Sequence, residues 1–248
     1  FARPRHSRHN ARMAKAEVSQ SFIDTAGDRA DSNLDLLVEM TRDFASSLDI
    51  EKTLARALDR VIEYLDAAGG ALFLLENEGK SLRCCAAVGA TDIAGIVMNA
   101  DDGIVGRCVR NNSGEIVRNV ADDPDFYGGV DAETGFTTRS ILCAPMRVQD
   151  QRIGAIELVN KRGGDGLFAD ADLQFLQALS SAAALAILNA RMAEALVEQE
   201  RVRRELELAA EIQRSLLPSP RAETFPVHGV NVPAREVSGD FYDFFTLD

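Results

Sequence analysis

RIGAIELVNK, residues 152–161, decides how this chain folds. Side chains of a strand alternate between faces. That puts Ile153, Ala155, Glu157 and Val159 on one face and Ile156 and Leu158 on the other. Both faces are apolar, so the strand belongs inside a covered sheet and carries one carboxylate, Glu157, into it. A buried carboxylate needs a partner: an arginine in a salt bridge, or a ligand that presents a donor. RSILCAPMRV at 139–148 precedes it across the turn Gln149-Asp150-Gln151, which makes the two a hairpin.

Working outward, LDLLVEMTRDFASSL from Leu34 and IEKTLARALDRVIEYL after Asp49 have helical spacing, with Asp49 as an N-cap and Gly69 and Gly70 expected to end the run. GALFLLE at 70–76 and SLRCCAAVG at 81–89 read as a hairpin around Asn77–Lys80. GIVGRCVRNN is a short amphipathic helix opened by Asp101, Asp102 and Gly103, and GEIVRNV is a short strand. The stretch 121–138, rich in Asp, Gly and Thr, is a loop or short helix of the kind that carries function. From Ala169 one helix runs to about Leu217, where Pro218 and Pro220 stop it. Helices, hairpin, helix, hairpin and long helix make an α+β fold, a central antiparallel sheet flanked by helices.

Composition narrows the function classes. The 248 residues are 46% hydrophobic and 27% charged, enough for a globular core. The net charge is −12, and since residues 1–16 carry +5 (Arg3, Arg5, Arg8, Arg12, Lys15), the rest carries −17. Such a body does not bind nucleic acid through charge, and the basic arm reads as a solvated tail or a binding arm. No apolar run is expected to reach the length of a membrane span. Cys84, Cys85, Cys108 and Cys143 form no CxxC pair and read as reduced core thiols of a cytoplasmic protein. His6, His9 and His228 are too scattered for a zinc site or a histidine-based triad. The absence of an initiator Met suggests a fragment or a processed chain.

The long helix holds a heptad. With Leu185 at a, the a positions are Leu185, Met192, Gln199, Leu206 and Gln213, and the d positions are Leu188, Ala195, Val202, Ala209 and Leu216. Glu198 at g and Arg203 at the next e suit a pair across a parallel homodimer through 185–216. The other reading is a solvated helix packed on its own domain.

DAETGFTTRSILCAPM, then IGAIELVNK, then Phe168 and Asp172, closely resembles a GAF domain over about residues 33–190, and within that family the cyclic-nucleotide-binding, phosphodiesterase-like branch. Asn160, Lys161, Phe168 and Asp172 match that branch's signature, with Leu173 in place of its final Glu. The resemblance implies a salt bridge between Lys161 and Asp172 that ties the last strand to the final helix. It also implies a small-molecule pocket, for cAMP or cGMP, with Ile104 against the purine, Asp131, Thr134 and Thr138 supplying hydrogen bonds, and Glu157 as a pocket acid. Without a ligand, Asp131 and Thr134 would cap a short helix and Thr138 would be a strand residue. The chain departs from the branch at Ala71, where a polar pocket residue is common, and at Cys84–Val88, which lacks the aromatic that stacks on the base.

A second resemblance starts in the long helix. Gln213, Leu216, Leu217 and Pro218, followed by Val237, Gly239, Asp240, Tyr242 and Asp243, are similar to the start of a bacterial PPM-type serine phosphatase domain of the RsbU/SpoIIE class, with Ser238 replacing a Gly. It implies a domain order of arm (1–32), GAF domain (33–172), linker helix (173–217) and phosphatase start (218–248). It also implies Mn²⁺ or Mg²⁺ held by carboxylates that activate water. Asp240 would be one ligand, on a strand, with the others beyond Asp248, so the chain as given is expected to be inactive while its parent is a protein serine/threonine phosphatase. The substrate implied is a phosphorylated STAS-type anti-sigma-factor antagonist in partner switching. The rival readings are a ligand-free dimerisation module and a GAF sensor joined to another output, such as a nucleotide cyclase.

Overall fold

β6 (Gln151–Lys161) sits third from one edge of a six-stranded antiparallel sheet of order β3-β2-β1-β6-β5-β4. The computed structural model describes residues 33–47, 49–89, 93–218 and 227–244, without the side chains of 130, 133 and 134. The basic arm 1–32 and Pro220 lie outside the described residues. The other strands are β1 (Ala67–Glu76), β2 (Ser81–Val88), β3 (Val97–Asn99), β4 (Glu115–Val117) and β5 (Ile141–Val148). The helices are α1 (33–46), α2 (Ile50–Tyr64), α3 (Gly103–Asn111), α4 (Gly129–Thr134) and α5 (Asp170–Leu216).

Both faces of the sheet are covered, as the two-sided apolar pattern of β6 requires. Leu72, Leu142, Ile156 and Leu158 pack with α1, α2 and the first half of α5, while Ala71, Phe73, Cys143 and Ala155 pack with α3. Ile153 departs from its expected side. It joins the helix-side core, because the β5–β6 register shifts between Met146 and Arg147 and breaks the alternation there. At Gly154 the strands come so close that a Cβ would stand 1.9 Å from the Phe73 carbonyl oxygen. Gly therefore fixes the β1–β6 approach.

Asp49 caps α2 as expected, its side chain accepting the Lys52 N–H at 3.1 Å. The end of α2 differs. Asp66 turns the chain with φ 52°, and Gly69 and Gly70 lie inside β1. A Cβ on Gly70 would meet Leu158 at 2.6 Å, so that glycine answers to sheet packing, not to helix termination. β3 went unexpected because three residues, Val97–Asn99, carry too little alternation to read.

Two compact units divide at Leu188. The first takes in α5 through Phe175, Leu176, Leu179, Ala183, Ala184 and Ile187, which are buried in its core. One expectation is corrected here. Residues 173–190 carry no charged side chain and form an 18-residue window of mean hydropathy 1.4, long and apolar enough to cross a membrane. A core helix meets the same criterion, and the buried side chains of this one are those of a core helix.

In the second unit α5 is solvated and laced with its own ion pairs. Glu198 and Arg203 each have a partner within the helix, Arg201 at 2.7 Å and Glu200 at 2.7 Å respectively. Gln213, an a position of the heptad, bonds Ser238, donating to its carbonyl at 2.7 Å and accepting its N–H at 2.8 Å. The expected strand around Asp240 is not formed, since residues 227–244 contain neither helix nor strand. An extended segment with no neighbouring strand has no ladder to satisfy its backbone.

Candidate functional site

The central strands carry small residues on the α3 side. Glu157 faces Ala71 on β1 and Cys143 on β5 across the sheet, and Ala71 in turn faces Ala87 on β2. Short side chains around one long one leave room above the Glu157 carboxyl. That room is a cavity of about 370 Å³, roofed by α3 and by the loop and short helix between β4 and β5. It is in the size range of small-molecule sites.

The structure brings Ile104, Asp131, Thr138 and Glu157 to the wall of this one cavity. Ile104 is buried in the first turn of α3, which starts at Gly103. Asp131 does not cap α4, whose N-cap is Gly128 with no side-chain bond. Its carboxylate accepts the Thr138 N–H at 2.6 Å and the Thr138 hydroxyl at 2.7 Å, stapling the far side of the loop to α4. Thr134 is the last residue of α4, and its side chain is outside the described residues.

Glu157 has no hydrogen bond or ion pair through its side chain among the described residues, so of the two partners left open by the sequence the arginine is not found there. The carboxyl is half-buried, with its accessible surface on the cavity. Burial pushes its pKa up to about 7, with the carboxylates of Glu115 and Asp131 adding to the rise. Cys143 beside it is buried; its thiol is pushed up, first by a hydrogen bond with Cys108 and then by burial.

Two fasteners hold this site to the rest of the domain. Asn160, buried and at φ 54°, accepts the Arg139 N–H at 2.7 Å and the Ser140 N–H at 3.2 Å, and donates to the Thr137 carbonyl at 2.8 Å. It thereby pins the loop that carries Thr138. Lys161 reaches Asp172 at 2.5 Å, while Asp172 also accepts the Ala169 N–H at 2.9 Å at the start of α5. With Lys161 only 13% and Asp172 9% exposed, breaking the pair strands a poorly solvated charge. Lys161→Met is expected to cost about 2 kcal/mol in urea unfolding, and Lys161→Arg to restore part of it.

Sequence reasoning missed three features. The signature gave Asn160 but not its three bonds. Arg107 of α3 was passed over, yet it bonds Glu115 at 2.7 Å, Asp123 at 2.7 Å and Asp125 at 2.8 Å, clamping α3 to β4 and to the loop. The aromatic wall lacking at Cys84–Val88 comes from Phe73, Phe126, Tyr127 and Phe136. Three aromatics in an Asp- and Gly-rich loop were the available signal.

Asp240 is exposed, and its N–H donates to the Ser238 hydroxyl at 3.3 Å. Among the described residues no group of three or more His, Cys, Asp or Glu stands together to hold a metal ion. Asp240 therefore does not by itself fit Mn²⁺ or Mg²⁺, which take six or more oxygen ligands including water.

A family profile described as a GAF domain matches residues 47–188. The chain is 24% identical over 160 residues to the "Probable 3',5'-cyclic phosphodiesterase pde-5" of Caenorhabditis elegans, covering 60% of this chain and 22% of that protein. It is 26% identical over 171 residues to the "Dual 3',5'-cyclic-AMP and -GMP phosphodiesterase 11A" of Takifugu rubripes, covering 64% and 19%. The chain thus spans less than a quarter of the length of these relatives. Among solved structures, the GAF domain of a phosphoenolpyruvate-protein phosphotransferase from Coxiella burnetii superposes with a TM-score of 0.59 at 19% identity, covering 66% of this chain and 96% of that one. Residues 122 to 287 of a methyl-accepting chemotaxis protein superpose with a TM-score of 0.55 at 20% identity, covering 63% and 99%. At such identity the likeness is one of fold.

Proposed function

The chain belongs to the GAF domain family, and on that premise we propose that it is a ligand-responsive regulatory segment controlling a PPM-type protein serine/threonine phosphatase. The observation that carries the sensor reading is the cavity that gathers Ile104, Asp131, Thr138 and Glu157. Its floor is β6, and β6 ends in the Lys161–Asp172 pair that anchors α5. A ligand that shifts β6 or the Thr138 loop therefore acts on the start of a 47-residue helix. The apolar positions left exposed along that helix, Met192, Val202, Leu206 and Leu216, support a parallel homodimer as the element on which the ligand acts.

The output rests on the tail. Its two motif segments, matched separately in the sequence, are joined by the Gln213–Ser238 hydrogen bonds. In this reading the metal ions, Mn²⁺ or Mg²⁺, and the STAS-type phosphoprotein substrate belong to the remainder of the phosphatase domain. Reading the gene on past residue 248 tests it: a further Asp-Gly metal strand is expected, and a cyclase or kinase domain there overturns it.

Cyclic AMP and cyclic GMP are the first ligands to test, because the relatives' names point to them and Ile104 offers an apolar surface for a purine. Native mass spectra of the chain are expected to show one small molecule taken up per protomer from a panel of cyclic AMP, cyclic GMP and the ring compounds named below. Hydrogen exchange is expected to slow in the 121–138 loop and at the start of α5. A chain that takes up none of them is instead a ligand-free dimerisation module.

A further inference from the structure

The charged side chains lining the cavity are Asp102, Asp131 and Glu157, and all three are acids. No Lys, Arg or His lines it among the described residues. Side-chain donors are few, the Asn99 amide and the Tyr127 hydroxyl, since the Thr138 hydroxyl is already spent on Asp131. The Glu157 carboxyl, by contrast, is an acceptor with no partner among the described residues, half-buried at the centre of the sheet. A buried acid left without a donor is a cost to the fold unless a ligand supplies one.

The rest of the wall is apolar and aromatic, with Phe73, Phe126 and Phe136 around the space. Aromatic faces attract cations at close range. The body of the protein is strongly acidic, which raises the local concentration of positive ions and lowers that of anions.

From these observations we infer that the cavity takes an organic cation, an amine or amidinium group carried on a flat apolar body, with its charge set against Glu157 and Asp131. The assignment rests on the sensor reading and names its ligand class. It also sets the site against an anionic cyclic nucleotide, whose phosphate would meet three carboxylates and no cationic side chain among the described residues, only the first turn of α3. An amidinium is the best-shaped group, because its two N–H donors match the two oxygens of a carboxylate.

The test uses one ring with three charges. Benzamidine, benzamide and benzoate are titrated into the chain at pH 8 by calorimetry and native mass spectrometry, beside cyclic GMP. Benzamidine is expected to bind, benzamide at least about tenfold more weakly, and benzoate and cyclic GMP not at all. Glu157→Gln keeps the shape of the side chain and is expected to weaken benzamidine by on the order of 30-fold or more. Equal affinity for benzamide, an unchanged affinity in the Gln variant, or preference for benzoate or cyclic GMP overturns the cation and leaves the sensor standing. Uptake of nothing in the panel overturns both.

Discussion

Glu157→Gln is expected to stabilise the ligand-free chain by about 3 kcal/mol at pH 8 and by little at pH 4 to 5. The folded carboxyl titrates at about 7 because burial disfavours its charge, whereas an unfolded glutamate titrates near its ordinary value of 4.5. Below that value both states are protonated and the group costs nothing. As the pH rises from there through about 7, the unfolded chain loses its proton first, and stability falls until the folded carboxyl has ionised too. Above that the full penalty stands. Glutamine does not titrate, so the wild-type and variant stability curves diverge with rising pH. Urea unfolding at pH 5 and pH 8 measures this; parallel curves would mean that Glu157 is charged and satisfied in the free protein. A gain in stability joined to a loss of benzamidine affinity is the pattern of a residue kept for binding.

The second large effect is at Asn160. Its replacement by alanine is expected to cost about 3 kcal/mol, since three hydrogen bonds are lost and two backbone N–H groups are left under the loop. Part of the cost is conformational, because the backbone at φ 54° suits Asn better than Ala. Asn160→Gly relieves that part alone, so the difference between the two variants separates backbone from side chain. Both are expected to speed hydrogen exchange at Arg139 and Ser140 and to loosen the wall that carries Thr138. A loss below about 1 kcal/mol for the alanine variant would show that the loop is held by other contacts.

The halves of the α+β architecture were legible because β6 is apolar on two faces and α5 is periodic over many turns. Those patterns come from burial, and burial leaves its record residue by residue. The family signature located Asn160, Lys161 and Asp172 in the same way. The aromatic wall was not legible, because Phe126 and Phe136 come from a loop with no period to read. Nor was the side taken by Ile153, which depends on a register shift between two strands.

Alone, the sequence determined the longer elements, the acidic body and the presence of one carboxylate in a covered strand. Only the tertiary structure decided that this carboxylate has no arginine among the described residues, since a salt bridge depends on which side chains the sheet brings within about 4 Å, and spacing along one strand holds no such distance. It likewise turned Asp131 from a helix cap into the partner of Thr138. It also gave Gln213 to Ser238. A polar side chain takes the partner that folding sets beside it, 7 residues on for Asp131 and 25 for Gln213.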